Sequence, residues 1–146
     1  MTGTVQSLVV NVPRTDFYEV IRDYESYPAF LPDMEEVRVL VRDGDTVDVH
    51  FTLNLIKRIR YVLRLVERPA EFGLDWTLVE GMFKRNEGGW TLEELPGGKT
   101  RASYTIEVSV GVFLPGSLVN KLVGQTLPAT LAAFKRRAEA LHGTAD

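Results

Sequence analysis

Between residues 37 and 112 the sequence alternates apolar and polar residues in six successive runs: "VRVLVRD", "TVDVHFTLNL", "RIRYVLRLVER", "FGLDWTLVEG", "GGWTLEEL" and "TRASYTIEVSVGV". A period of two marks a strand with one buried and one solvated face. Turn signals such as "DGD" and "PGGK" separate the runs, and no gap is long enough for a helical crossover. Strands joined only by short turns pair antiparallel, so the sequence predicts an antiparallel sheet. A shorter β-branched run, "VQSLVVNV", precedes them and ends at Pro13, which adds a seventh strand.

Helical patterns flank the strands. After Pro13 the apolar positions Phe17, Val20, Ile21 and Tyr24 fall on one helical face. At the other end "PGSLVNKLVGQTLPATLAAFKRRAEALHG" opens with Pro115 and closes before Gly143. Within it Leu127, Leu131, Phe134, Ala138 and Leu141 recur at steps of 4, 3, 4 and 3, the stripe of a long amphipathic helix. Pro128 interrupts that pattern; it lacks a donor and crowds the carbonyl of Gly124, so a kink is expected across 124–128. There is no linker, repeat or low-complexity tract. One α+β domain over residues 1–146 is therefore expected, its curved sheet covered by the terminal helix, the one element long enough to do so.

Strand parity assigns side chains to faces. In residues 47–55 Val47, Val49, Phe51, Leu53 and Leu55 share one face, opposite Asp48, His50, Thr52 and Asn54. The same face takes Ile59, Tyr61, Leu63 and Leu65, then Leu74, Trp76 and Leu78, then Trp90 and Leu92, then Tyr104, Ile106, Val108 and Val110. It carries both tryptophans, whose N–H groups, like phenol hydroxyls, want partners when buried. A dense core and a lined pocket both satisfy this pattern.

Composition narrows the chemistry. A net charge of −3 lacks the basic footprint of a DNA-binding chain. With no cysteine, disulfides, thiolate nucleophiles and Cys-based metal sites are excluded. The start has neither the n- and h-regions of a signal peptide nor transit-peptide character, and no apolar run reaches the ~18 residues of a membrane span, so a cytoplasmic protein is expected. Only two histidines occur, His50 on the polar strand face and His142 near the end. No phosphate-loop, dinucleotide, zinc-protease or serine-elbow motif is present, and neither catalytic residues nor a metal or cofactor are assigned. Glu80, continuing the Leu78 parity, is the carboxylate nearest to an acid/base role. The basic face of residues 57–68 and the "KRR" at 135–137 suit either a solvated strand surface or contact with anionic lipid head groups or RNA.

Tyr24 to Pro32 packs three aromatics and two prolines into nine residues, a stiff connection that cannot be helical throughout. The segments "NVPRTDFYEVIRDYESYPAFLP", "EGMFKRNEGGW" and "TLAAFKRRAEAL" together resemble the coenzyme-Q-binding START-type family, within the polyketide cyclase/dehydrase and lipid-transport (Bet v 1-like) superfamily. The resemblance spans nearly the whole chain. It implies a helix-grip fold, a bent seven-stranded sheet around the C-terminal helix with an apolar cavity between. Members of that superfamily bind ubiquinone, associate with ribosomes as toxins, or cyclise polyketides. By this resemblance Tyr27, Phe30 and Leu31 would stand at the cavity mouth with Met82 and Phe83 on its rim. Phe51, Leu53, Tyr61, Leu63, Trp76, Trp90, Tyr104, Ile106 and Val108 would line its sheet side, and Leu118, Leu122, Leu127 and Leu131 its helical wall. The implied partner is a hydrophobic small molecule, a quinone or other isoprenoid lipid, with a polyketide or a ribosome as alternatives.

Overall fold

The computed structural model describes residues 2–55, 57–111 and 114–143. The alternating runs form strands β1 (Thr2–Val10), β2 (Met34–Asp43), β3 (Thr46–Leu55), β4 (Lys57–Arg68), β5 (Gly73–Gly81), β6 (Phe83–Leu95) and β7 (Lys99–Val110). All pair antiparallel in one sheet of order β1-β7-β6-β5-β4-β3-β2. Sequence neighbours are spatial neighbours except that β1 pairs with β7, which leaves β1 and β2 as the edges. Val112, the end of the last alternating run, lies outside the described residues.

Two strands begin earlier than their alternation indicates, β2 at Met34 and β6 at Phe83. The cause is local: the register slips between Met34 and Glu36 and between Phe83 and Arg85. An extra residue at a bulge inverts parity and hides the strand from a period-two reading. Further slips lie between Val39 and Val41 and between Val62 and Leu63. Such bulges add bend and twist, the means by which a sheet curves.

Helix α1 (Arg14–Arg22) follows β1, then a 3₁₀ helix over Tyr24–Ala29. The C-terminal helical region has three parts: α2 (Gly116–Lys121), a π-helical turn (Leu122–Thr126) and α3 (Leu127–His142). In the π turn the Leu127 N–H donates to the Leu122 carbonyl. The disturbance expected from Pro128 is thus taken up by a widened turn immediately before the proline. Of the apolar stripe, Leu127, Leu131, Phe134 and Ala138 are buried, whereas Leu141 is 54% exposed. The helix packs on α1 and β1. Lys135 Nζ donates to the Val9 carbonyl at 3.0 Å, and Glu139 accepts from the Asn11 N–H at 2.9 Å. No helix among the described residues is long and apolar enough to cross a membrane.

A buried carboxylate ties the helical connection to the sheet. Glu67 continues the inward parity of β4, and its side chain is 0% exposed. It accepts from the Tyr24 hydroxyl at 2.6 Å, from Arg22 at 3.1 Å, and from Arg42 at 3.0 and 3.1 Å. Burial by itself would raise its pKa, but these hydrogen bonds outweigh burial and hold it below the usual glutamate value. The stability it contributes is therefore complete above about pH 4.3 and is lost as pH falls through the lower folded value. Glu67→Leu strands two arginines and a phenol. It is expected to cost about 2–3 kcal/mol in urea unfolding at pH 7, with the deficit shrinking toward pH 3; a pH-independent difference would refute the ionised clamp.

Candidate functional site

Residues of six strands, the Tyr24–Pro32 connection and the C-terminal helix line a cavity of ≈ 110 Å³. From β3 come Phe51 and Leu53, from β4 Tyr61 and Leu63, from β5 Trp76, from β6 Phe83 and Trp90, and from β7 Tyr104 and Ile106. Tyr27 and Leu31 close it on the connection side, and Leu122 and Leu127, flanking the π turn, close it on the helix side.

Four residues expected at the cavity lie elsewhere. Phe30 packs edge-on against Tyr27 at 6.0 Å and Phe134 at 5.2 Å, so those rings stand between it and the cavity. It lines a separate surface hollow with Arg137 and Leu141. Val108 and Leu118 are fully buried where α2 packs on β7, and Leu131 is core. Parity places a side chain on the concave face but does not say whether the facing element reaches it. Conversely, Met34, Leu65, Leu74, Asn86, Thr126, Thr130 and Phe134 also line the cavity. Parity carried the signal for Leu65 and Leu74, and helical spacing that for Phe134. Asn86 gave none, because it is polar and lies just beyond a bulge. Phe83 is buried, while Met82 is only half-buried and forms the turn between β5 and β6.

The wall is a continuous chain of rings. It runs Phe83–Tyr61 (5.0 Å), Tyr61–Phe51 (5.3 Å), Phe51–Tyr27 (6.4 Å), Tyr27–Phe134 (5.2 Å), Phe134–Trp90 (5.3 Å), Trp90–Tyr104 (4.9 Å) and Tyr104–Trp76 (5.3 Å). Most contacts are edge-on, the arrangement ring quadrupoles prefer, at about 0.5–1.5 kcal/mol each beyond area burial. The chain ends at Trp76 on β5 and Phe83 on β6, where pairing between the two strands stops at Trp76 opposite Gly88. Beyond that point β5 pairs only with β4, and β6 only with β7. The Trp76 Nε1–H donates to Asn86 Oδ1 at 3.1 Å just past the last backbone pair.

Polar groups are sparse here and uncharged. Tyr27 donates its hydroxyl to the Ile21 carbonyl. The Tyr61 and Tyr104 hydroxyls have no hydrogen-bond partner among the described residues. Burial pushes both phenols far above their ordinary pKa, and the proximity of Tyr61 raises Tyr104 further. Both stay protonated at neutral pH, able to donate to an oxygen acceptor and unsuited to act as bases. None of the described lining residues is charged or a histidine.

The titratable candidates from the sequence fall outside this site. Glu80 is exposed. His50 sits on the opposite sheet face near Thr52 and Glu36, at 3.2 and 3.7 Å, and His142 lies 3.9 Å from Asp16. Among the described residues no group of three His, Asp or Glu side chains is placed to hold a metal. On the basic outer face Arg58 pairs with Glu35, Arg64 with Asp48, and Arg68 with Glu71 and Asp75. Lys135 is engaged by Glu139 and Val9, and Arg137 lies over the Phe30 ring. These pairings favour the solvated strand surface over an anion-binding one.

The sequence profile of the polyketide cyclase/dehydrase and lipid transport family matches residues 10–135. The chain belongs to this family. The match is to the broad family and does not single out its coenzyme-Q-binding branch. Among solved structures, the Zhui aromatase/cyclase of Streptomyces sp. R1128 superposes with a TM-score of 0.86 at 17% identity, covering 94% of this chain and 93% of that one. A START superfamily protein of Mycobacterium smegmatis gives 0.83 at 22% identity over 95% and 98%. An 18 kDa protein of Caulobacter crescentus gives 0.77 at 27% identity over 99% and 100%. Comparison with curated proteins yields no match. The fold is the helix grip of this polyketide cyclase and lipid transport family.

In this member the tight point of the wall is Gly88. A Cβ there would meet the Thr105 carbonyl at 2.1 Å and Trp76 Cζ2 at 2.8 Å. Gly88→Ala must push β6 from β7 or expel the indole, and is expected to cost about 2 kcal/mol in urea unfolding and to red-shift tryptophan emission. Unchanged emission and midpoint would show that the strands give way freely.

Proposed function

We propose that this protein binds and carries a neutral hydrophobic small molecule, a quinone or other isoprenoid lipid, without altering it chemically. The uncharged aromatic cavity with two unpartnered phenols carries this reading. Apolar walls supply affinity: each enclosed CH₂ contributes about 0.8 kcal/mol, so one five-carbon prenyl unit contributes roughly 4 kcal/mol before ordering costs. The phenols supply orientation by donating to ring oxygens. An apolar void on the order of 150 Å³ holds one benzene-sized ring. At ≈ 110 Å³ the cavity is smaller than that, so a ring head group enters only as the wall opens at the π turn or at the parted ends of β5 and β6, with its tail directed the same way.

The membership of a family that also names polyketide cyclases, and the pair of protonated phenols, support a second reading. In it Tyr61 and Tyr104 polarise a polyketide carbonyl during ring closure. Turnover of a polyketide substrate, lost in the Tyr61→Phe and Tyr104→Phe variants, would establish that alternative.

Organic extraction of protein purified from a quinone-producing host, with mass spectrometry against a mock purification, tests the carrier. A stoichiometric quinone or prenyl lipid is expected; an empty extract counts against it. Leu63→Trp fills the cavity from β4 and is expected to reduce co-purified ligand at least several-fold while the near-UV dichroism stays folded. Full occupancy in that variant would place the ligand elsewhere.

A further inference from the structure

Asn86 stands out on the cavity wall. It is 4% exposed and occupies an inward position of β6 in line with Trp90 and Leu92. Its orientation is not free. An indole N–H can only donate, so the 3.1 Å contact with Trp76 Nε1 commits Oδ1 of Asn86 to that partner. The two N–H donors on Nδ2 then have no acceptor among the described residues. Among the described residues the sealed polar side-chain atom without a partner is Arg22 Nε, so the Nδ2 donors are open to the cavity that Asn86 lines, where a ligand oxygen would pair them.

We propose that Asn86 is the specificity-determining residue of this cavity, donating from Nδ2 to a carbonyl oxygen on the ligand, with Trp76 as the positioning residue that fixes the amide. The proposal rests on the ligand-binding reading above. The phenols of Tyr61 and Tyr104 cannot set this preference alone, because a hydroxyl rotates to donate or accept as the ligand requires. The amide is held as a donor, so a ligand lacking an acceptor leaves it unpaired in an apolar wall. Asn86 also lies across the gap where the chain of rings ends, which puts the ligand oxygen beside Trp76 and Tyr104.

The test uses a matched pair of probes, duroquinone and durene, which share a tetramethylated six-membered ring and differ in the two carbonyls. Affinities are measured by equilibrium dialysis for the wild-type protein and for Asn86→Leu, Asn86→Met and Trp76→Phe, each checked for folding by near-UV dichroism. Asn86→Leu is expected to weaken duroquinone about tenfold and leave durene unchanged or tighter. Asn86→Met, which also removes the donors and brings no charge, shows the same loss and decides the matter if the leucine variant fails to fold. Trp76→Phe lowers the duroquinone-to-durene ratio less, because the freed amide can still turn its N–H inward. An unchanged ratio in folded Asn86 variants overturns the proposal and leaves ligand binding intact. Failure of the wild-type protein to bind either probe overturns both.

Discussion

Apart from Glu67 and Asn86, the concave face of the sheet is predominantly apolar from β3 to β7, and it cannot be left in water. Covering it is the constraint from which the rest of the architecture follows. Parallel crossovers are absent, so no α-helix arrives between β2 and β7; the cover has to come from the segments before and after them. The Tyr24–Pro32 connection approaches from one side and the C-terminal helix from the other, and each is fastened by polar contacts. Glu67 holds the first through Tyr24 and Arg22, while Lys135 and Glu139 hold the second to the end of β1.

The cover is incomplete, and that creates the site. A straight helix with a regular stripe would bury the face along its whole length. Pro128 prevents this by removing a donor, and the preceding π turn widens the backbone beside Leu122, Thr126 and Leu127, all of which face the cavity. Across from it, large rings meet edge-on and cannot collapse into the space as flexible aliphatic side chains would. Rigid aromatics and an interrupted helix together keep a void of ≈ 110 Å³ open where ordinary packing would close it.

The chemistry of the void follows from what lines it. Desolvation keeps the phenols protonated, and among the described residues no charge is present to make an acid, base or anion site. The wall is suited to recognising neutral molecules through shape and a few donors. The membership of a family that spans lipid transport and polyketide cyclisation fits this, since both tasks need a greasy enclosure and differ in a handful of polar groups.

Short turns and strict alternation were enough, from the sequence alone, to determine the antiparallel sheet, its inward face and the need for a terminal helical cover. Such signals are local, and they identify Phe51, Tyr61, Trp76 and Tyr104 as inward without any knowledge of what they meet. The early starts of β2 and β6 were hidden because bulges break the period that reveals a strand. Only tertiary structure decided which inward residues face empty space. Val108 and Leu118 share the same patterns as Ile106 and Leu122, yet α2 packing on β7 buries them, and Phe30 is screened by Tyr27 and Phe134. Nor does any local pattern pair Glu67 with arginines 25 and 45 residues away, or turn Asn86 toward Trp76. Those contacts depend on strands meeting across the sheet, a distance the sequence records only as separation along the chain.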